Sequence, residues 1–419
     1  MSELAQGDHS TLRKFVTMST FLGLFSAGAD FGLGGVHILI FYFLALLNLA
    51  LIASEGKLWF PRGLLWLFGF MALSGGIGIL QGTDTVPNIL KSLLGIVLNA
   101  TYFCAFLRYV RFDVDYCFRM YAKFAFYVAA LGLLAYPVLY LQLPMYRLKS
   151  VFQEPGEFAI VCAPAAIYYL DQWQRKRTGG WQFLLLVLTL ILANSSIGYL
   201  GLLFGFYMFG TRYRFGKLLA PVLVVGIGVA IYTLSADFRL RAVDTVTGLA
   251  TGNASDTNLS SFALISGAYV AEQVILDKPF FGWGLGSISL SHERYVGNLP
   301  GVEEFIEGGI LQISRGDGGS MLLRLLAETG LIGTALALGF VFACYPYHAT
   351  PEVRAIAISI ATYIFVKMLR SGVYFNPEEF FFLVIYAVIG APSLVRARRL
   401  AQVQSPVLSL ETGTLHNAN

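Results

Sequence analysis

The segment Arg147-Leu-Lys-Ser-Val-Phe-Gln-Glu-Pro-Gly-Glu157 interrupts two long apolar runs with two cations and two carboxylates. Each flanking run has the composition of a membrane span, because a bilayer core takes about 20 mostly apolar helical residues. Charged groups are costly to hold at a hydrocarbon boundary, and they commonly mark a site that handles a charged ligand. The segment therefore predicts a membrane fold and a place in it where charge matters.

The composition of the whole chain is that of a polytopic membrane protein. Of its 419 residues, 56% are hydrophobic and 13% are charged, with a mean hydropathy of +0.67, whereas about a quarter of the residues in a soluble domain are charged. The net charge of +4 reflects basic loops and gives no indication of nucleic-acid binding. The cysteines have neither metal-ligand spacing nor the pattern of a disulfide framework; they are Cys104, Cys117, Cys162 and Cys344.

The apolar runs predict an all-α polytopic fold with about twelve transmembrane helices. Segment 181–210 is long enough for one tilted span, but basic clusters flank both of its ends, and this requires an even number of crossings. Two short helices that turn at Asn194-Ser-Ser196 meet the requirement. The other spans are expected near residues 15–30, 35–54, 63–80, 90–110, 118–141, 157–171, 218–235, 320–345, 354–370 and 379–395.

The basic residues predict an orientation and a division of the chain. Lysine and arginine are concentrated in the loops on one side, which is typical of the cytoplasmic face and places both termini there. We expect the opposite side, with the 144–156 and 371–378 loops, to face the periplasm from a bacterial inner membrane. The predicted parts are an N-terminal transmembrane bundle (1–235), a large periplasmic loop with amphipathic helices (236–319), C-terminal transmembrane helices (320–400) and a cytoplasmic tail (401–419).

Three motifs follow one another between residues 147 and 333. They are Arg147-x-x-Ser150-x-Phe152-x-Glu154-Pro155, Asp277-x-Pro279-x-x-Gly282-x-Gly284-x-Gly286 and Leu322-x-x-Leu325-x-x-Glu328-x-Gly330-x-x-Gly333. The second follows an apolar segment, 262–276, that is expected to lie on the membrane or to pack on the bundle. With the span plan, the motifs resemble the O-antigen polymerase and ligase superfamily, and best its Wzy-type repeat-unit polymerases, over most of residues 140–390.

Two positions depart from the pattern of that superfamily. Members often carry a His-Asn pair just before the third motif, and in the ligases this histidine is tied to catalysis. Here the aligned positions are Gly319-Ser320, and the loop has His292 elsewhere. Many members also have an arginine entering the loop helix, where this chain has Ser261-Phe262. The missing histidine favours a polymerase over a ligase.

The resemblance implies a glycosyltransferase with a GT-C-like architecture and an active site that faces the periplasm. It would need no metal or other cofactor, and its substrate would be an undecaprenyl-diphosphate-linked oligosaccharide. It would polymerise such repeat units into O-antigen or a related surface polysaccharide, either lipopolysaccharide or exopolysaccharide. The other implied partners are membrane lipids and a chain-length regulator and flippase of the same pathway.

The chemistry implied by the resemblance directs attention to the arginines. The leaving diphosphate gains negative charge as the glycosidic bond breaks, and the planar guanidinium fork binds phosphate oxygens bidentately. The predicted diphosphate-binding or substrate-binding residues are Arg147, Lys149, Arg315, Arg324, Arg370 and Glu328. Arg324 lies four residues before Glu328 on one helix face, so an internal ion pair is the alternative role for both.

A catalytic role is predicted for Arg147, Arg370 and Glu154. The acceptor hydroxyl needs a base or a strong hydrogen-bond acceptor, and Glu154 is one candidate; helix capping is its alternative role. Glu328, Asp317, Glu378 and Glu379 remain open as other bases. Aromatic residues that could stack on sugars or lie at the membrane interface are Trp283, Tyr295, Tyr374 and Phe375.

Two other functions are consistent with parts of the sequence. An O-antigen ligase would use the same chemistry with a lipid A-core acceptor. A lipid-linked oligosaccharide flippase or another transporter belongs to a different class, in which internal repeats and paired broken helices are usual. No second copy of any of the three motifs occurs in this sequence.

Overall fold

The apolar runs of the sequence are helices in the structure, because backbone N–H and C=O groups in hydrocarbon must be satisfied within the chain. The computed structural model describes residues 2–26, 30–33, 36–52, 59–142, 147–210, 216–234, 236–255, 257–347, 349–374 and 376–391. The helices in these ranges are α1 (Ser2–Leu24), α2 (Ile40–Ile52), α3 (Arg62–Gln81), α4 (Val86–Tyr109), α5 (Val114–Gln142), α6 (Pro155–Lys176), α7 (Gly180–Leu192), α8 (Ser196–Gly210), α9 (Gly216–Leu234), α10 (Ala236–Thr251), α11 (Leu259–Asp277), α12 (Ile288–Tyr295), α13 (Glu303–Glu307), α14 (Met321–Ala343), α15 (Pro351–Leu369) and α16 (Pro377–Gly390).

Five of the described helices are long and apolar enough to cross a membrane: α3, α4, α5, α11 and α14. Three shorter helices, α2, α7 and α8, are also strongly apolar. The chain is therefore a helical membrane protein. The predicted tail 401–419 and Phe375 lie outside the described residues.

The first two expected spans have different bounds in the structure: the first ends earlier and the second begins later than predicted. The run 15–30 is helical only as far as Leu24, and the run 35–54 becomes helical only at Ile40. Between them, strand β1 (Asp30–Leu33) pairs antiparallel with strand β2 (Val36–Leu39). This stretch of the sequence is rich in glycine, which costs about 1 kcal/mol per residue in a helix interior relative to alanine.

The predicted break in segment 181–210 is present. Helix α7 ends at Leu192 and α8 begins at Ser196. Asn194, between them, has a φ of 42°, which asparagine tolerates better than most residues. The segment therefore consists of two short helices, both of which pack on α6.

The loop helices have a small hydrophobic core of their own. Buried side chains of α11, including Phe262, Val270 and Val274, cluster with Trp283, Phe305 and other apolar side chains of the loop. Helix α11 also packs along α14. Of the two alternatives predicted for 262–276, packing on the bundle is the one that the structure shows, although the length and composition of α11 are those of a span.

The basic clusters meet at the end of the bundle opposite the long loop. Arg13 Nη2 lies 3.8 Å from Asp113 Oδ2, just before α5. Arg175 at the end of α6 forms an ion pair with Glu352 at the start of α15. Arg119, near the start of α5, lines a cavity with residues of the α6–α7 turn. This end is called the basic end below, and the opposite end is called the loop end.

Candidate functional site

The second and third motifs are joined by backbone hydrogen bonds at the loop end. Trp283 N donates to Ala327 O at 2.9 Å, and Gly284 N donates to Glu328 O at 3.0 Å. Leu331 N in turn donates to Pro279 O at 2.9 Å. The two motifs lie far apart in the sequence, yet they form one unit in the structure.

This close approach requires glycine at the centre of α14. Gly330 has φ 64° and ψ −165°, so it interrupts the helix with a kink. A Cβ at this position would lie 2.5 Å from both the carbonyl carbon and the oxygen of Phe280. The neighbouring atoms belong to backbone, so they cannot move aside as a flexible side chain can.

We expect Gly330→Ala to lower the free energy of unfolding by about 2–3 kcal/mol, from left-handed backbone strain and from overpacking. Thermal unfolding in detergent measures the loss. Gly339→Ala is the matched control on the same helix, since nothing lies within 4 Å of a Cβ at that position. Equal unfolding temperatures for the two variants would contradict the predicted contact.

A buried ion pair lies directly below this unit. Arg324 Nε donates to Glu328 Oε1 at 2.9 Å, and the side chains are 4% and 0% exposed. The guanidinium also donates from Nη1 to Gly372 O at 2.8 Å and lies 4.2 Å from the ring centroid of Tyr374. The predicted internal pair is confirmed, and Arg324 is enclosed by protein.

A second buried pair lies beside the first. Lys367 Nζ is 3.6 Å from Glu379 Oε2 and donates at 3.2 Å to Ser371 Oγ and to Val373 O. Lys367 and Glu379 also line, with Tyr374, a cavity of about 70 Å³ whose other walls are apolar side chains of α3, α4, α14, α15 and α16. The sequence presented Lys367 as a cation near a helix end, whereas the residue is only 3% exposed.

Two short loops are held together above these pairs. Ser371 N donates to Gly319 O at 3.1 Å, and Ser320 Oγ donates to Met368 O at 2.6 Å. A Cβ at Gly372 would lie 1.9 Å from Asp317 O. Loops 316–320 and 371–374 are therefore in close contact, and the two buried cations hold carbonyl groups of the second loop.

Arg315 and Arg370 lie at the edges of this loop pair. Arg370 is half-buried and donates from Nη1 to Ser260 O at 2.9 Å, at the start of α11. Arg315 is 46% exposed and forms an ion pair with Glu293. Both guanidinium groups are thus close to solvent and to the polar loop, unlike that of Arg324.

Arg147 lies at the turn between α7 and α8. Its Nε donates to Ala193 O at 3.2 Å and its Nη2 donates to Asn194 O at 2.7 Å. A cation beside the last carbonyls of a helix interacts favourably with the helix dipole. The motif arginine therefore supports the turn predicted at Asn194, and its catalytic role stays a prediction.

The two other charged residues of the first motif lie at or just before the start of α6. Glu154 is the exposed N-cap of α6, without a side-chain cap hydrogen bond. Lys149 Nζ donates to Gln153 O at 3.2 Å. Glu157, in the first turn of α6, is an electrostatic neighbour of both Glu154 and Glu378, which places the start of α6 near the start of α16.

The aromatic candidates that the structure describes are largely enclosed. Trp283 is 5% exposed and its Nε1 donates to Asp277 Oδ2 at 3.2 Å. Tyr374 is 4% exposed under Arg324. Tyr295 packs against Trp283, with a distance of 5.3 Å between ring centroids. Sugar stacking, one of the two roles left open for Trp283 and Tyr374, does not fit side chains so completely covered by protein.

His292, the histidine of the long loop, is buried in the structure. It is 1% exposed, and its imidazole lies next to the backbone of Ile313. Burial and the nearby charge of Arg315 lower its pKa to about 4, so the imidazole is neutral near pH 7. The polar surroundings of this histidine come from Arg315 and Asp317, which follow it in the chain by more than 20 residues.

Asp84, in the turn between α3 and α4, was not predicted as a functional residue. This carboxyl is 7% exposed and accepts a hydrogen bond at 2.7 Å from Thr85 N. The turn contacts the glycine motif, because Thr83 Oγ1 donates to Trp283 O at 2.8 Å. A carboxylate in a four-residue turn between two spans was the available signal.

Burial raises the pKa of Asp84 from its ordinary 3.8 to about 6. A raised pKa of the folded state means that the stability contribution of Asp84 is complete below pH 3.8 and is lost as the pH rises to about 6. We therefore expect Asp84→Asn to be more thermostable than the wild type at pH 7.5, with a smaller difference at pH 4.5. Unfolding temperatures at the two pH values test this, and a difference independent of pH would contradict it.

No protein-family model matches this sequence, and comparison with curated proteins gives no match. Within the described ranges, no group of three or more His, Cys, Asp or Glu side chains is arranged to hold a metal ion.

Proposed function

We propose that this protein is a glycosyltransferase that polymerises undecaprenyl-diphosphate-linked oligosaccharide repeat units at the periplasmic face of a bacterial inner membrane. The observation that carries the proposal is the pair of buried cations, Arg324 and Lys367, below loops whose edges hold Arg315 and Arg370. Buried charge inside an apolar bundle is expensive and is usually kept for function. The three motifs and their resemblance to Wzy-type polymerases supply the substrate class.

In this proposal the half-exposed arginines bind the diphosphate. Arg370 and Arg315 donate N–H groups to its oxygens as the bond between the sugar C1 and the diphosphate breaks. The electron pair of that bond leaves with the diphosphate, and the hydroxyl oxygen of the incoming repeat unit forms the new bond to C1. The hydroxyl proton passes to a carboxylate, for which the exposed Glu154 is the candidate.

The buried pairs act as positioning groups. Arg324 donates to Gly372 O and Lys367 donates to Val373 O, so two neighbouring carbonyl groups in the middle of the loop that follows Arg370 are fixed. A fixed loop keeps the neighbouring Arg370 in place. Preorganised donors stabilise developing charge better than flexible ones, since no reorganisation is needed as the charge develops. Arg147 performs a similar task for the turn at Asn194.

The proposed topology has twelve crossings with the loop end in the periplasm. The gathering of Arg13, Arg119 and Arg175 at the basic end supports a cytoplasmic position for that end. The break at Asn194 supports two crossings for segment 181–210. The alternative orientation would place the basic end outside.

A cysteine at Ser196 is expected to react with a membrane-impermeant thiol reagent in intact spheroplasts, because this half-buried residue starts α8 at the loop end. A cysteine at the exposed Lys176, at the basic end, should react only after the membrane is opened. The background lacks Cys344, the one native cysteine of the four that is not fully buried. Labelling of position 176 alone in intact spheroplasts would reverse the proposed topology.

The proposed activity is tested by reconstituting the purified protein with a synthetic diphosphate-lipid repeat unit. A ladder of polymers that differ by one repeat unit is the expected product. Transfer of glycan only onto an added lipid A-core acceptor would instead identify a ligase. Movement of the lipid across the bilayer without a new glycosidic bond would identify a flippase.

A further inference from the structure

A cavity of about 360 Å³ opens at the basic end, away from the proposed active site. It lies between the first turns of α5, the last turns of α6 and the start of α7. A pocket that holds a small-molecule ligand measures about 300–1,000 Å³, so a ligand head group fits this space.

Two cations of α5 line the cavity. Arg119 and Lys123 are four residues apart and therefore lie on one helix face. Arg119 pairs at 3.3 Å with Asp115, but the two side chains are 59% and 45% exposed, and such exposed pairs are weak. Lys123 Nζ lies 5.7 Å from the ring centroid of Tyr127. Neither cation is enclosed, so both can turn toward a ligand in the cavity.

The opposite wall is the N-terminus of α7. Its N-cap is Gly179, with a φ of 84°, and a glycine has no side chain that could cap the helix. The first turn of α7 has no acidic residue. Thr178, Gly179 and Gln182 all line the cavity. The first N–H groups of a helix attract anions, especially phosphate, so the positive end of α7 and the two cations of α5 act on the same space.

The floor of the cavity carries polar groups on α6. Tyr168 is 3% exposed and lines the cavity, and its hydroxyl makes no hydrogen bond with any other residue that the structure describes. Its electrostatic neighbours include Asp115, Arg119 and Asp171, and the two carboxylates are paired with Arg119 and Arg175. The amide-bearing side chain of Gln172 lines the cavity one turn further along the helix. The hydroxyl group of Tyr168 can therefore donate a hydrogen bond to a ligand in the cavity.

We propose that this cavity binds the phosphate group of an anionic phospholipid. Its cations, uncapped helix N-terminus and phenol suit a phosphate, and its position at the end of apolar helices suits a lipid whose chains lie along the bundle. The basic residues at this end place the lipid in the cytoplasmic leaflet. The site is separate from the proposed glycosyltransferase chemistry and does not depend on it.

The test compares lipids retained by the purified protein in native mass spectra, after exchange into detergent containing either phosphatidylglycerol or phosphatidylcholine. The wild type is expected to retain phosphatidylglycerol selectively. Arg119→Gln/Lys123→Gln should weaken retention about 25-fold. Each cation near an anionic surface contributes a factor of about five, and the two factors multiply. Lys176→Gln, which removes an exposed cation of the same end that does not line the cavity, should change nothing.

Further variants and ligands decide between the remaining outcomes. Arg119→Lys/Lys123→Arg keeps both charges and should retain the lipid, so loss of binding in the glutamine variant with a normal unfolding temperature supports the proposal. Equal retention by the glutamine variant overturns it. Inorganic phosphate that competes at the concentration of the lipid head group would assign the cavity to a soluble phosphate compound and overturn the lipid assignment.

Discussion

Arg324→Met is expected to cost about 3–5 kcal/mol of folding free energy, because it leaves the carboxylate of Glu328 buried without its partner. Glu328 is completely buried, and its Oε1 accepts a hydrogen bond from Arg324 Nε at 2.9 Å. The variant also removes the donor to Gly372 O. The measurement is the thermal unfolding temperature in detergent together with the amount of protein in the membrane.

The double variant Arg324→Met/Glu328→Leu separates the charge from the packing. Replacing both partners of a buried ion pair by apolar residues is often close to neutral for stability, so the double variant should recover most of the loss. The matched control is Arg119→Met in the exposed pair with Asp115, which has the same four-residue spacing and should cost less than about 1 kcal/mol. A small effect of Arg324→Met alone would show that the carboxyl group of Glu328 is neutral in the folded protein.

Arg370→Lys and Arg370→Ala are both expected to reduce polymerisation by about 10²–10³, which corresponds to the loss of one preorganised donor in the transition state. Lysine keeps the charge and can still donate to Ser260 O, but it lacks the fork that binds two phosphate oxygens at once. The measurement is the rate of ladder formation in the reconstituted reaction.

The control for this prediction is Arg294→Lys. Arg294 is exposed in the same loop, where it lies 5.6 Å from the ring centroid of Trp283, and it belongs to none of the motifs. Polymerisation by Arg294→Lys should equal that of the wild type. Near wild-type polymerisation by Arg370→Lys would limit Arg370 to joining α15 to α11 and would leave Arg315 as the remaining arginine at the loop edge.

Helix positions were largely predictable from the sequence. Most runs identified as spans coincide with helices, and the break at Asn194 was anticipated from basic clusters at 175–177 and 212–217. These predictions rest on local properties, namely apolar length and the distribution of lysine and arginine. The hairpin Asp30–Leu39 was missed because β2 lies inside a run that is apolar enough for helix, and β1 begins only where the preceding run ends.

Of the predicted site residues, the Arg324–Glu328 pair could be read from spacing, since four residues on a helix bring two side chains together. The pairing of Lys367 with Glu379 was not predicted, because it depends on how α15 and α16 meet across a loop. The same holds for Arg147, whose carbonyl partners belong to a turn 46 residues further along the chain.

The sequence by itself determined that this chain is a helical membrane protein with arginines and carboxylates at the ends of its apolar segments. Only the tertiary structure decided which of these charges are enclosed, as Arg324 and Lys367 are, and which remain half-exposed, as Arg315 and Arg370 do. The reason is that hydropathy and helix spacing are properties of residues that are close together in the sequence. Burial of a charge instead depends on contacts between distant segments, here loops 316–320 and 371–374, which meet only when α14 and α15 pack together.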